Sequence, residues 1–210
     1  MVQSTVPQPE FTISVIILAG GESRRLGRDK SLLELDGQPL IARTVHTLTA
    51  LSDDLVVVTN NATRYQGLAL PARYVPDEER GMGSLMGLYS GLKAIQHSHA
   101  LAVACDMPFL NLPLLRYMLP LAQNYDVVIP KLGDFLEPLH ALYGRACLPP
   151  MARLLAQGRR QILAFFPEVR THYVAEAEID RYDPLHLSFV NVNTPEEWAR
   201  AQALLSGGSS

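Results

Sequence analysis

Leu18 to Lys30 reads LAGGESRRLGRDK, in which the adjacent glycines Gly20 and Gly21 are followed by Arg24, Arg25, Arg28 and Lys30. Glycine lets the backbone turn sharply and present its N–H groups to an anion, and nearby guanidinium and ammonium groups neutralise what is held there. The chemistry indicated is phosphate binding; a glycine turn beside a solvated basic loop is the plain alternative. Two familiar phosphate loops are excluded by spacing. A Walker A loop needs Gly-Lys-Ser/Thr in succession, whereas Gly27 is followed by Arg28-Asp29-Lys30. A dinucleotide fingerprint needs G-x-G-x-x-G, which Gly20, Gly21 and Gly27 do not form.

Three further segments could serve the same chemistry. In ACDMPFL, Asp106 follows an apolar run, a position suited to Mg²⁺, which takes one or two carboxylates together with substrate phosphates and waters. A turn or helix-capping aspartate is the alternative. In VPDEERGMGS, Asp77 precedes Gly81 and Gly83, a second carboxylate beside a second permissive loop. In FVNVNTPEEW, Asn191 and Asn193 alternate with Val190 and Val192, so that both amides face one side of an extended segment. An amide can ligate a metal or donate to a phosphate; capping of the following helix by Asn193 or Thr194, with Pro195 at its first position, remains open. His97 and His99 fall in an expected helix-to-strand loop and His46, His172 and His186 have no partner at ligand spacing, whereas His140 has Glu137 close by in sequence.

These residues need a frame that brings them to one place. Continuous apolar runs at 13–18, 54–59, 72–75, 100–105 and 126–130 read as strands buried on both faces, as in a parallel sheet. Helical stripes lie between them: Leu40, Ile41, Val45, Leu48 and Leu51 behind a first-position Pro39; Leu85, Leu88, Leu92 and Ile95; and LPLLRYMLPLA, which Pro120 should end or kink. Farther on, FLEPLHALYG reads as one strand and PPMARLLAQG as a short helix. Alternating strands and helices predict an α/β fold, a Rossmann-like three-layer sandwich around a mostly parallel sheet. Ligands of such sheets bind beyond the carboxyl ends of the strands, where strand order reverses. That places Leu18 to Gly21, Thr59, Asp77 and Asp106 at the same end.

One domain is expected over residues 12–205, between tails at 1–11 and 206–210, since 210 residues suit one sizeable core. A net charge of -3 supplies no general basic field for nucleic acid, so an anion site must be local. Cys105 and Cys147 form no metal or disulfide framework, which suits a reducing cytoplasm. No basic export leader and no apolar run of the roughly 20 residues that span a bilayer is present, and no membrane association is expected.

Taken in order, ILAGGESRRLGRDKSLLELDGQPLI, VVVTNN, PDEERGMGSLMGLYSGL, ACDMPFL, EPLHALY and FVNVNTPEEW resemble the MobA-type nucleotidyltransferases, the molybdenum cofactor guanylyltransferases, over about residues 13–203. The resemblance implies the nucleotide-diphospho-sugar transferase type of fold. It further implies Mg²⁺-dependent transfer of GMP from GTP to the terminal phosphate of molybdenum-molybdopterin, and transient contact of the product with cofactor-insertion proteins or molybdoenzymes. Carried over by position, Leu18, Ala19, Gly20 and Lys30 contact GTP, Asp77 contacts the nucleotide and Asp106 contacts GTP and the metal. Asn191 and Asn193 are expected near the phosphates or the pterin. For the implied chemistry, the N–H groups of Gly20 and Gly21 with Arg24 or Arg25 and Lys30 are assigned to the triphosphate, with Lys30, Asp106 and Arg25 as the catalytic set. The chain departs from the family at Thr59, where an asparagine is usual and Asn60 and Asn61 follow, and at GSLMG, Gly83 to Gly87, in place of GPLAG. Gly20, where a related CMP-transferring group tends to carry alanine, favours guanine. Rival readings are a nucleotidyltransferase that uses CTP or a sugar phosphate, and a non-catalytic carrier of nucleotide or pterin.

Overall fold

The computed structural model describes residues 11–20 and 30–207. Among the described residues the strands are, in chain order, β1 (Ser14–Leu18), β2 (Glu34–Leu35), β3 (Gln38–Pro39), β4 (Leu55–Val58), β5 (Arg73–Val75), β6 (His99–Ala104), β7 (Val127–Leu132), β8 (Phe135–Leu136), β9 (His140–Gly144) and β10 (Thr171–Ala175). The helices are α1 (Leu40–Leu48), α2 (Ser84–Ala94), α3 (Leu112–Met118), α4 (Leu148–Ala156), α5 (Glu176–Ile179) and α6 (Pro195–Gly207). The main sheet has the order β10-β7-β9-β6-β1-β4-β5, with β8 paired to β7, while β2 and β3 form a separate hairpin. β1 is parallel to both β4 and β6, β4 to β5, and β7 to β10; β9 runs against its neighbours β6 and β7.

The apolar runs become central strands because both of their faces are covered. Along β1, Ile16 and Leu18 enter one core and Val15 and Ile17 the other; on β4 the division is Val56 and Val58 against Leu55 and Val57. The first core lies under α2 and α4, and the second is closed by residues of α1 and α3 such as Val45 and Leu115. α2 comes unusually near the sheet. A Cβ at Gly91 would stand 2.6 Å from Ile16 Cγ2 and 3.0 Å from Val58 Cγ2.

The amino ends of the strands are tied by a single carboxylate. Asp54, 4% exposed, accepts from Ser14 Oγ at 2.5 Å, Arg73 Nη2 at 2.6 Å and Gln96 N at 2.8 Å. Burial alone would raise its pKa, but these three donors bring it below the ordinary value. The opposite, carboxyl end is thereby left for ligands.

Several local expectations need correction. Pro39 occupies the N-cap position of α1 (φ -55°, ψ 140°), one residue before the position expected, because its backbone still belongs to the β2–β3 hairpin. Pro120 does end α3, and the chain continues as a 3-10 helix over Leu119–Gln123. FLEPLHALYG holds two strands, since Glu137 to Leu139 form the connection between β8 and β9. The two hairpin strands β2 and β3, and the edge strand β10, lack the long apolar run that marks central strands such as β1, β4 and β6. At the two ends of the described residues the Phe11 ring packs at 5.3 Å from His99, and α6 runs to Gly207.

The close approach of α2 yields an expectation for stability. Gly91→Ala should cost about 1 to 3 kcal/mol, as overpacking of a filled core does, because the methyl group must displace Ile16 or Val58. Urea unfolding would register the loss; an unchanged midpoint would mean that α2 has room to retreat.

Candidate active site

β1 and β6 are adjacent and parallel, yet the sheet grows from β1 toward β4 and β5 and from β6 toward β9 and β7. The strand order therefore reverses between them, and a crevice must open past their carboxyl ends. A cleft of about 1260 Å³ lies there. It is lined by Leu18, Ala19, Gly20, Lys30, Asp77, Asp106, Asn191 and Asn193, so every described residue assigned to the site from the sequence reaches it. Gly21, Arg24, Arg25, Gly27 and Arg28 lie outside the described residues.

The floor of the cleft is backbone. Cys105 N donates to Leu18 O at 3.1 Å and Ala19 N donates to Val58 O at 3.0 Å, so the ladder continues to the point where the strands diverge. A Cβ at Gly20 would meet no described atom within 4 Å. Among the described residues nothing demands glycine at this position.

Lys30 begins a 3-10 turn, Lys30–Leu32. The turn is fixed by Leu33 N donating to Lys30 O at 3.1 Å and by the Ser31 and Tyr65 hydroxyls at 2.8 Å. From it the ammonium group donates to Asn193 Oδ1. On the other side of the cleft Val192 N donates to Asp106 O at 3.0 Å, while the Val192 side chain is fully buried. The segment before α6 is thus stitched to both charged residues, and Asn191 and Asn193 do face the same space. Asn191 Nδ2 donates to Phe189 O at 3.3 Å, which leaves its amide oxygen without a described partner. Helix capping falls to Thr194, whose Oγ1 accepts from Glu197 N at 3.2 Å while Glu197 Oε2 accepts from Thr194 N at 3.0 Å. Asn193 is consequently released from capping.

Asp106 is half-buried, and burial raises its pKa; the Lys30 charge and its own N–H oppose the rise, while Glu197 adds to it. No other described residue hydrogen-bonds to this carboxylate. A partly desolvated carboxylate facing a cleft next to an ammonium is an unfinished charge arrangement, one that a cation and an anion arriving together would complete.

Asp77 is held differently. Asn60 Nδ2 donates to Asp77 Oδ2 at 2.7 Å, and Asp77 N donates to Asn60 Oδ1 at 3.2 Å. In the Thr59-Asn60-Asn61 segment, Thr59 is buried with its Oγ1 accepting from Asn61 N at 3.2 Å, Asn60 orients the aspartate, and all three residues line the cleft. The GSLMG departure has a plain reading as well. Gly83 takes φ +77° at the N-cap of α2, Met86 is core, and a Cβ at Gly87 would lie 3.2 Å from Leu18 Cδ2 and 3.4 Å from Asp77 Oδ1.

Other lining residues were not singled out from sequence: Ser31, Arg64, Arg80, Ser84 and Leu139. A single cation in a loop carries no periodic signal, although Arg80 beside Gly81 and Gly83 could have been flagged by the same reasoning as Lys30. His140 does not belong to the site. It is completely buried, packs against Phe189 at 4.8 Å, and has both ring nitrogens unpartnered among the described residues. Burial pushes its pKa down to about 4 against the opposing Asp183 charge. Its proximity to Glu137 is a backbone turn, His140 N to Glu137 O at 3.0 Å. Among the described residues no group of three or more His, Cys, Asp or Glu side chains could hold a metal. No described helix is long and apolar enough to cross a membrane.

Residues 15–176 match the family model described as the MobA-like NTP transferase domain. A probable molybdenum cofactor guanylyltransferase of Pelotomaculum thermopropionicum is 35% identical over 189 residues, covering 90% of this chain and 91% of that one. The molybdenum cofactor guanylyltransferase of Desulfosudis oleivorans is 37% identical over 198 residues, with coverage of 93% and 97%. Among solved structures, molybdopterin-guanine dinucleotide biosynthesis protein A from Archaeoglobus fulgidus superposes with a TM-score of 0.81 at 28% identity, covering 93% of this chain and 100% of that one. A Thermus thermophilus 2-C-methyl-D-erythritol 4-phosphate cytidylyltransferase, 17% identical with a TM-score of 0.68, shares the fold.

The raised Asp106 pKa has a measurable consequence. Protonation favours the folded state, so the folded protein is weakened as pH rises through the folded Asp106 value. Asp106→Asn removes that charge and should melt at a higher temperature than wild type at pH 7, the gap closing below the ordinary aspartate value of 3.8. A variant that melts lower at pH 7 would make this carboxylate a stabilising group instead.

Proposed function

The chain belongs to the family of MobA-like NTP transferases, and from that premise we propose that it transfers GMP from GTP to the terminal phosphate of molybdenum-molybdopterin in the cytoplasm. The observation that carries this reading is the convergence of Gly20, Lys30, Asp106, Asn191 and Asn193 on one cleft with the Asn60–Asp77 pair. An oxygen of the acceptor phosphate attacks the α-phosphorus of GTP. A new P–O–P linkage forms, the bond from the α-phosphorus to the bridging oxygen breaks, and pyrophosphate departs with the electron pair. No protein nucleophile is required, so positioning and charge neutralisation carry the reaction.

The roles proposed here are supported by the cleft geometry for the described residues and by the family pattern for Gly21, Arg24 and Arg25. Backbone N–H groups at Gly20 and Gly21 cradle the triphosphate, with Arg24 or Arg25 as a further cation. Lys30, steadied by Asn193, holds charge beside the reacting phosphate. Asp77, fixed by Asn60, receives the nucleoside end. Asp106 fits Mg²⁺: one under-partnered carboxylate is what this ion takes when phosphates and waters complete its shell. When bound, the metal would offset charge on the phosphate oxygens. Asn191 and Asn193 complete the phosphate wall. The product would then pass by transient contact to insertion proteins or molybdoenzymes.

Pyrophosphate release measured with each of the four NTPs, with and without molybdopterin, tests the proposal. GTP should exceed CTP, ATP and UTP at least about tenfold, the discrimination that some 1.4 kcal/mol of base contact provides, and only with acceptor present. Asp106→Ala should lower transfer about a hundred- to a thousandfold, the scale of one lost charge-stabilising group. Preference for CTP would favour the cytidylyl alternative, and nucleotide binding without pyrophosphate release would leave a carrier.

A further inference from the structure

Asp106 stands in the turn over 105–108 that follows β6, and the carbonyls of this turn are held from outside it. From α1, Arg43 Nε donates to Pro108 O at 3.0 Å, and the hydroxyl of the next residue, Thr44, donates to Cys105 O at a longer 3.5 Å. From the segment before α6, Val192 N donates to Asp106 O at 3.0 Å. The shape of the turn is therefore imposed by two elements distant in sequence, since buried backbone carbonyls must find donors. Arg43 makes no ion pair and no other hydrogen bond among the described residues, and it does not line the cleft. Ordering so long a side chain costs rotamer freedom, which its bond to the turn has to offset.

The other end of α1 is tied to Lys30. Leu40 N, at the start of the helix, donates to Leu33 O at 2.9 Å, and Leu33 N donates to Lys30 O at 3.1 Å. The helix thus runs from the Lys30 turn to the Asp106 turn. One small core lies under this path: Leu35, Leu40, Val192 and Ala201 are buried together, and Leu33, Phe109 and Trp198 pack against them. Leu33 and Leu35 follow Lys30, Phe109 follows Asp106, and Val192 lies between Asn191 and Asn193. Each of the three segments is thereby drawn to the same place. Apolar burial is non-directional, however, and cannot by itself aim a carboxylate. Hydrogen bonds to the turn carbonyls supply that direction.

We propose that Arg43 is a positioning residue for Asp106: from a helix tied to the Lys30 turn, it fixes the aim of the Asp106 carboxylate relative to the Lys30 ammonium across the phosphate site. The inference rests on the metal role given to Asp106 above. Mg²⁺ demands near-ideal octahedral geometry with short bonds, so a displaced carboxylate weakens the metal before it weakens the nucleotide. The nucleoside end, received by the Asn60–Asp77 pair, does not depend on this turn.

The test reads metal and nucleotide separately. The factor by which Mn²⁺, standing in for Mg²⁺, tightens binding of a GTP analogue with a non-cleavable bridge at the α-phosphate is measured for wild type, Arg43→Met, Arg43→Lys and Arg73→Ala. Arg43→Met keeps the apolar stem and removes the donors, whereas Arg43→Lys keeps one donor, which suffices where the bond is not bidentate. Arg73→Ala removes a donor from Asp54 at the far end of the sheet and serves as the control for lost stability alone. Arg43→Met should lower the factor about tenfold, the scale on which loss of a group that orients a metal ligand is felt, with the metal-free affinity within about twofold of wild type. Arg43→Lys should recover most of the factor, and Arg73→Ala should keep it. In GMP transfer, Arg43→Met should lower kcat and raise the Mg²⁺ requirement while the GTP KM is unchanged. An unchanged factor in Arg43→Met overturns the proposal, as does an equal loss in Arg73→Ala or no recovery in Arg43→Lys. No tightening by Mn²⁺ in wild type overturns the metal role of Asp106 and the inference with it. The expected split among the variants, but with no transfer by wild type, upholds the positioning and overturns the reaction.

Discussion

Two parallel strands that lie side by side and then send their chains to opposite halves of a sheet cannot close the space between them. In this protein those strands are β1 and β6, and every assigned site residue among those described depends on the gap. Leu18 to Gly20 leave β1 at its edge and Asp106 follows β6 on the other side. Among the described residues no atom would crowd a Cβ at Gly20, and the Asp106 carboxylate is costly to bury. What the fold supplies is a place where backbone donors and a poorly solvated carboxylate can face one ligand.

The gap is made into a site by parts brought from far along the chain. The segment before α6 is tied on one side to Asp106 through Val192 N and on the other to Lys30 through Asn193. Its tethering is underwritten by burial of Val192 and by the Thr194–Glu197 capping pair. Lys30 in turn stands on the Ser31–Tyr65 contact, and Tyr65 stacks against Tyr74 of β5 at 6.0 Å. A substitution in supports such as Val192, Glu197 or Tyr65 can reach the cleft without lining it. Conversely, the Asp54 cluster at the amino end can hold the sheet together without constraining the cleft.

Most of the frame was legible because continuous apolar runs such as Ser14 to Leu18 have one explanation in a chain of this size, burial on both faces. The edge strand β10 and the hairpin strands β2 and β3 were not legible. Half-exposed residues such as Tyr173, or a strand of two residues, leave no period to read. Lys30, Asp77, Asp106, Asn191 and Asn193 could be picked out by type and by position after a strand or before a helix, and by the family pattern. What linear spacing cannot carry is pairing across the chain. The Asn60–Asp77 lock and the Lys30–Asn193 bond join residues distant in sequence, and neither partner announces the other. His140 misled for the complementary reason, since a carboxylate three residues away in sequence made no side-chain contact and the ring was packing material.

The central claim is that the strand-order reversal between β1 and β6 places one nucleotide across Gly20, Lys30 and Asp106. A crystal structure of the protein with GTP and Mg²⁺ tests it most directly. The expected result has the α-phosphate between the Lys30 ammonium and the Asp106 carboxylate, the triphosphate over the Gly20 backbone, and the nucleoside directed toward Asp77. A nucleotide bound with its phosphates away from Lys30 and Asp106 would contradict it.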